Sequence, residues 1–213
     1  MQLLLLAKAP VPGRVKTRMC PPASAAQAAT IAAAALADTV DALSATPAAG
    51  RTIVLSGRYP TPPGWRTATQ RGNGLAERLV HAYADTAVPH TATLLVGMDT
   101  PQLTPALLRS ALSTLDGGAD AALGPTEDGG WWTLGLRDPA HAQVLRGVPM
   151  STPRTLAYTV EALRARGLTV NLLGTLRDVD TVADAHAVAA LCPHGRFAAA
   201  IRSHLPDPAR PVR

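Results

Sequence analysis

Short apolar runs alternate along the chain with longer segments that have helical periodicity. Apolar runs of this kind are typical of strands buried on both faces of a sheet, and helices between them favour parallel crossovers. The predicted strands are residues 2–7, 51–56, 66–69, 92–98, 119–124, 131–136 and 168–173. The predicted helices are residues 23–44, 74–87, 104–115, 152–166, 181–191 and 195–204. The pattern predicts one α/β domain over residues 1–205, a mainly parallel sheet flanked by helices, with a flexible tail at 206–213.

The charge balance is basic, with 20 Lys and Arg against 15 Asp and Glu. The Arg residues are scattered and form no basic tract interleaved with aromatics, so we expect no nucleic-acid partner. A field of this sign would equally attract phosphorylated small molecules. No apolar stretch approaches the roughly 20 residues that span a bilayer, and no signal peptide is recognised. Two cysteines outside any CxxC pattern are consistent with reduced thiols, and we expect a cytoplasmic protein.

The loop after the first predicted strand reads AKAPVPGRVKTR. Its four cations are Lys8, Arg14, Lys16 and Arg18. They would repel one another unless an anion lies among them, and Gly13 would let the backbone approach that anion closely. Lys8 and Lys16 are the only lysines in the chain, and a compact ammonium is not interchangeable with a guanidinium. Because α/β folds place ligands at such strand ends, we predict a phosphate-binding loop, with a solvated basic loop as the alternative.

Carboxylates follow three other predicted strands. Asp99, in GMDTP, comes directly after the strongest strand, where a carboxylate and phosphate oxygens could share Mg²⁺ or Mn²⁺. Asp178 and Asp180, in DVDT, would lie on the same side of an extended chain. One of this pair could hold the metal opposite Asp99 while the other caps the next helix. Asp128 precedes two glycines in a turn, for which an ordinary hairpin is the alternative.

The segment QRGNGLAER contains a GxG without the third glycine of a dinucleotide fingerprint. Gln70 and Asn73 in this loop could contact a base or ribose. We therefore include both among the candidate nucleotide-binding residues.

The motifs resemble, in order, a bacterial family of the glycosyltransferase-A (GT-A) superfamily. The family pattern is AKAPxPGxVKTRL, QxGxDLGxRL, GxDxPxL, PxxDGGYxLxGL, STPxxLxxTxxxLxxxG and DVDTxxDL. This chain has AKAPVPGRVKTRM, QRGNGLAERL, GMDTPQL, PTEDGGWWTLGL, STPRTLAYTVEALRARG and DVDTVADA. More distantly, it is similar to molybdenum-cofactor and 2-phospholactate guanylyltransferases. Asn73 stands where the pattern favours Asp, and Ala76 where it favours Gly, which bears on the choice of base.

The resemblance implies a Rossmann-like nucleotide-diphospho-sugar transferase fold. It implies phosphate contacts from the four loop cations, a Mg²⁺ or Mn²⁺ ion on Asp99 and Asp180, and a sugar or acceptor near Asp128. We expect a metal-dependent transferase that uses a nucleotide sugar or a nucleoside triphosphate and a small-molecule acceptor. Its candidate catalytic residues are Lys16, Asp99 and Asp128. Glycosyl and nucleotidyl transfer remain open, and a non-catalytic nucleotide-binding protein of the same fold is the alternative.

Overall fold

The computed structural model describes residues 1–206. Its strands are β1 (Gln2–Lys8), β2 (Gly50–Ser56), β3 (Arg66–Thr69), β4 (Thr93–Gly97), β5 (Ala121–Pro125), β6 (Trp131–Leu136) and β7 (Val170–Leu172). Its α-helices are α1 (Ala25–Ser44), α2 (Gly74–Thr86), α3 (Pro105–Asp116), α4 (Thr155–Arg164), α5 (Val182–Leu191) and α6 (Arg196–His204). Two 3₁₀ segments, Thr17–Met19 and Pro139–Gly147, accompany them.

All seven strands join one sheet in the order β3-β2-β1-β4-β6-β5-β7. The contacts of β1 with β2 and β4, of β2 with β3, and of β5 with β7 are parallel. Strand β6 runs antiparallel between β4 and β5. The carboxyl ends of β1 and β4 therefore lie side by side near the middle of the sheet, where open α/β sheets bind ligands.

Both faces of the sheet are covered, as the continuous apolar run of β1 predicts. Leu3 and Leu5 pack on one face with side chains of α1 and α3. Leu4 packs on the other face with side chains of α2 and of the 139–147 segment. A third apolar cluster joins α1 to α5 and α6. Successive side chains of β1 thus contribute alternately to two separate layers of the core.

The predicted α/β architecture is confirmed, and every predicted helix and strand occurs with bounds that differ by at most three residues. Thr104 caps α3 as expected, since its hydroxyl accepts a hydrogen bond from the amide of Leu107 (3.3 Å). The two 3₁₀ segments were not predicted, because burial rather than a periodic pattern stabilises them. Leu145 of the second segment packs against α2, and Met19 of the first packs against α1. Within residues 1–206 no helix is both long and apolar enough to cross a bilayer. Of the predicted tail, residues 207–213 lie outside the described residues.

Candidate functional site

A cavity of about 240 Å³ opens at the carboxyl ends of β1 and β4. Its lining residues are Lys8, Arg14, Val15, Lys16, Thr17, Arg18, Met98, Asp99 and Asp180. Lys8 is the last residue of β1, and Asp99 follows β4 by two residues. The fold therefore brings all four loop cations together with both carboxylates that the sequence suggested as metal ligands.

Lys16 lies at the centre of this arrangement. Its ammonium contacts one carboxylate oxygen of Asp99 and the backbone carbonyl of Val179. Only 6% of the Lys16 side chain is exposed, whereas 43% of Asp99 is exposed. The Lys16 backbone is left-handed (φ 49°, ψ 36°), a conformation that costs a residue with a side chain about 1 kcal/mol or more. The strained residue lies immediately before the 3₁₀ segment, and its side chain is buried.

The other three cations face solvent around the cavity. The Lys8 ammonium donates a hydrogen bond to the carbonyl of Arg14 (3.2 Å), and Arg14 itself is exposed. Arg18 pairs with Asp180 (2.9 Å), and 73% of its side chain is exposed. An exposed pair of this kind contributes little to stability, so Arg18 can exchange its partner for an incoming anion at small cost.

The segment 177–180 is fixed against the Asp99 loop by the backbone. Gln102 donates a side-chain hydrogen bond to the carbonyl of Arg177 (2.7 Å), and the amide of Val179 donates to the carbonyl of Asp99 (2.9 Å). The prediction that one of the two aspartates caps the next helix is wrong. Thr181 caps α5 instead, in a capping box with Asp184, so Asp178 and Asp180 both belong to the site region.

The sequence analysis selected Asp180 and not Asp178 as a metal ligand, but Asp178 lies in the same group of charges. Burial raises its pKa to about 7, and repulsion from Asp99, Asp128 and Asp180 adds to this, while the Lys16 ammonium opposes it. The side chain is thus surrounded by more negative charge than the one buried cation compensates. The DVDT motif contained the signal, but which of its two aspartates is desolvated enough to raise its pKa depends on tertiary packing.

Asp128 lies on a hydrogen-bonded turn near this cluster. Its carboxylate accepts hydrogen bonds from the Thr126 hydroxyl (2.6 Å) and the Gly130 amide (2.9 Å). The turn packs tightly against the loop before α4, since a Cβ on Gly129 would lie 2.0 Å from the carbonyl oxygen of Pro153. Asp128 is not a lining residue of the 240 Å³ cavity, but its charge acts on Asp178. The arrangement holds an exposed carboxylate in a fixed direction beside the site.

Gln70 and Asn73 lie at the carboxyl end of β3, along the same edge of the sheet. The Gln70 amide group donates to the carbonyls of Ala7 (2.7 Å) and Val54 (3.0 Å), so it ties this loop to the end of β1. Asn73 is exposed at the start of α2, and its backbone amide donates to Glu77 (2.7 Å). Neither residue lines the cavity, and neither does Gly13, whose backbone is left-handed (φ 75°). Their contacts with a nucleotide stay predictions.

The oxygen donors of this site suit a divalent cation that a ligand helps to hold. Carboxylate oxygens are the ligands that Mg²⁺ and Mn²⁺ prefer, and the raised pKa of Asp178 marks unbalanced negative charge. Within residues 1–206, however, no three His, Cys, Asp or Glu side chains are grouped closely enough to hold a metal by themselves. The residues therefore fit a cation that shares one or two carboxylates with phosphate oxygens of a ligand, rather than an ion enclosed by protein.

Three solved structures illustrate the similarity of the whole fold. A proposed nucleotide-diphospho-sugar transferase from Desulfovibrio desulfuricans G20 superposes with a TM-score of 0.78 at 28% identity, covering 95% of this chain and 96% of that one. Rv0371c from Mycobacterium tuberculosis H37Rv, in complex with manganese, gives 0.54 at 18% identity, covering 88% and 96%. CMP:2-keto-3-deoxy-manno-octonic acid synthetase in complex with CTP gives 0.51 at 13% identity, covering 90% and 97%. The last two similarities support the fold alone.

No curated protein matches the chain in sequence. The profile of DUF2064, described as an uncharacterized protein conserved in bacteria, matches residues 26–152. This span contains Gln70, Asn73, Asp99 and Asp128, whereas the cationic loop and the DVDT motif lie outside it. Because the profile covers more than half of the chain, the protein belongs to the DUF2064 family.

Proposed function

We propose that this protein is a metal-dependent transferase that uses a nucleotide-activated donor. The observation that carries the proposal is the convergence of four loop cations with Asp99 and Asp180 on one cavity at the carboxyl ends of β1 and β4. Cations suit phosphates, and the carboxylates suit a cation that the phosphates bring with them. The names of the similar structures, a nucleotide-diphospho-sugar transferase and a synthetase bound to CTP, agree with this assignment.

The size of the cavity indicates which part of a nucleotide it would take. A volume of about 240 Å³ is below the roughly 300–1,000 Å³ of pockets that enclose a whole drug-sized ligand. We assign the phosphate chain to this cavity, with Lys8, Arg14 and Arg18 around it. The base and ribose would then extend toward Gln70 and Asn73, which lie along the same edge of the sheet.

Mg²⁺ or Mn²⁺, when bound, would neutralise charge on the phosphates and on the leaving oxygen. Asp99 and Asp180 would hold it, and Asp178 is close enough for its charge to matter. The loop cations would stabilise the negative charge that develops on the leaving group, so positioning and electrostatics supply most of the rate. Asp128, fixed by two hydrogen bonds, would orient the acceptor or accept its proton.

Two reactions fit these roles. In nucleotidyl transfer, an acceptor oxygen attacks the α-phosphorus of a nucleoside triphosphate and pyrophosphate leaves. In glycosyl transfer, the acceptor attacks the anomeric carbon of a nucleotide sugar and the nucleoside diphosphate leaves. The number of cations favours the triphosphate, whereas the name of the structure with a TM-score of 0.78 favours the nucleotide sugar.

Thermal unfolding in a panel of nucleoside triphosphates and nucleotide sugars, with and without Mn²⁺, tests the proposal. Stabilisation that needs both Mn²⁺ and a nucleotide is expected, because a ligand that binds only the folded state raises the melting temperature. Stabilisation by triphosphates alone selects nucleotidyl transfer, and stabilisation by nucleotide sugars alone selects glycosyl transfer. If no nucleotide stabilises the protein with Mn²⁺, the proposal is wrong. Turnover of the stabilising donor then distinguishes an enzyme from a non-catalytic binding protein.

Replacing Asp99 with Ala is expected to abolish the metal-dependent part of this stabilisation while the fold stays intact. Asp116→Ala is the matched control, since it removes an exposed aspartate at the end of α3, outside the cavity. Unchanged nucleotide affinity in the Asp99 variant would remove that residue from the site.

A further inference from the structure

The position of the Lys16 ammonium differs from that of a simple phosphate ligand. It contacts Asp99 and the carbonyl of Val179, two hard oxygen donors on separate segments. Carboxylate and carbonyl oxygens in this combination are ligands that a divalent cation takes. With only 6% of its side chain exposed, Lys16 is buried between the two donors, whereas the other three loop cations are exposed.

The surrounding backbone holds the ammonium in place. The left-handed conformation of Lys16 directs the side chain inward, and the hydrogen bond from the Val179 amide to the Asp99 carbonyl (2.9 Å) fixes the two donors relative to each other. Withdrawal of the ammonium would leave the Val179 carbonyl without this partner and the Asp99 carboxylate without a counter-charge. Loss of the partner of the Val179 carbonyl is costly, because Val179 is fully buried.

We propose that Lys16 is the built-in cation of this site and takes the position between Asp99 and Val179 that a metal ion would otherwise occupy. Only the outward oxygen of Asp99 is then available to a divalent cation, which arrives with the phosphates. The site therefore uses one divalent cation and one lysine, and Lys16 is a positioning residue for Asp99 and the 178–180 segment. This inference rests on the proposed function for the divalent cation that completes the site, but its test needs no nucleotide.

The test is a titration of Mn²⁺, followed by electron paramagnetic resonance, without nucleotide. Lys16→Met keeps roughly the length of the side chain and removes its charge. Mn²⁺ is expected to bind this variant at least about tenfold more tightly than the unmodified protein, because a unit charge at contact distance no longer repels the ion. Adding Asp99→Asn to this variant is expected to abolish the gain. Arg109→Met is the matched control, since it removes an exposed cation on α3, outside the cavity, and its Mn²⁺ affinity should equal that of the unmodified protein.

In this titration, either no gain of Mn²⁺ affinity in Lys16→Met or an equal gain in Arg109→Met would overturn the inference. Protein labelled with ¹³C in lysine provides a test that does not depend on the folding of a variant, since Lys8 and Lys16 give the only two lysine signals. The Lys16 signal should keep its position when millimolar Mg²⁺ is added without nucleotide. Movement of that signal toward the Lys8 position would mean that the metal displaces the ammonium. Nucleotide binding by the unmodified protein is measured separately, so failure here leaves the proposed function standing.

Discussion

Replacing Asp178 with Asn removes a carboxyl group that the folded protein ionises only with difficulty. Burial, with repulsion from Asp99, Asp128 and Asp180, raises its pKa from 3.8 to about 7. Below a pH of about 4 the group is protonated in both the folded and the unfolded chain, so its charge costs nothing. As the pH rises from 4 to 7, the unfolded chain releases the proton first, and the stability of the protein falls. Above pH 7 both states are ionised and the loss is complete.

The two pKa values set the size of the effect. A difference of about three pH units corresponds to roughly 4 kcal/mol of unfolding free energy at most, at about 1.36 kcal/mol per unit. Asn keeps the shape of the protonated acid and does not ionise. The stability of Asp178→Asn relative to the unmodified protein should therefore be near zero close to pH 4 and rise to a gain of about 2–4 kcal/mol at pH 8.

Urea unfolding measured by Trp fluorescence between pH 4 and pH 8.5 is a suitable assay. A chelator is needed throughout, because a bound divalent cation would lower the pKa of Asp178 and mask the effect. Glu161→Gln is the control, since it removes an exposed carboxyl group on α4 and should change the stability little at any pH. A gain that does not depend on pH, or a variant less stable than the unmodified protein at pH 8, would refute the electrostatic account of the site.

Two further predictions concern residues that stabilise the fold outside the cavity. Gly129→Ala should lower the unfolding free energy by about 2–4 kcal/mol, because a Cβ would lie 2.0 Å from the Pro153 carbonyl oxygen and the backbone is left-handed (φ 86°). Gly147→Ala is the control, since a Cβ at that position meets nothing within 4 Å. Equal losses of stability for the two variants in urea unfolding would contradict this prediction. Asp38→Ala should lower the unfolding free energy by about 1–2 kcal/mol, because the Asp38 carboxylate accepts a hydrogen bond from the Phe197 amide (2.8 Å) at the start of α6. An unchanged melting temperature would exclude this capping role.

The order and type of the helices and strands could be predicted from the sequence. The apolar runs are short and the Ala-rich segments long, and caps such as Thr104 lie where the helices begin. The sequence also led to Lys8 and Asp99 as residues of one site, because α/β sheets bind ligands at the carboxyl ends of their strands. The 139–147 segment was missed, since its 3₁₀ structure depends on burial against α2.

The alternation of strands and helices, and the types of charged residue at the strand ends, follow from the amino-acid sequence, because periodicity and residue chemistry are local properties. How those charges meet depends on the way distant segments pack together. Lys16 reaches Asp99 through a left-handed backbone, and its second partner is the carbonyl of Val179, a group that no residue type reveals. Asp178 becomes the carboxylate whose pKa is raised by burial, because Val179 and Gln102 fix its segment against the Asp99 loop. Which of several similar charges is buried, and which is exposed, depends on packing between segments that are distant in the chain.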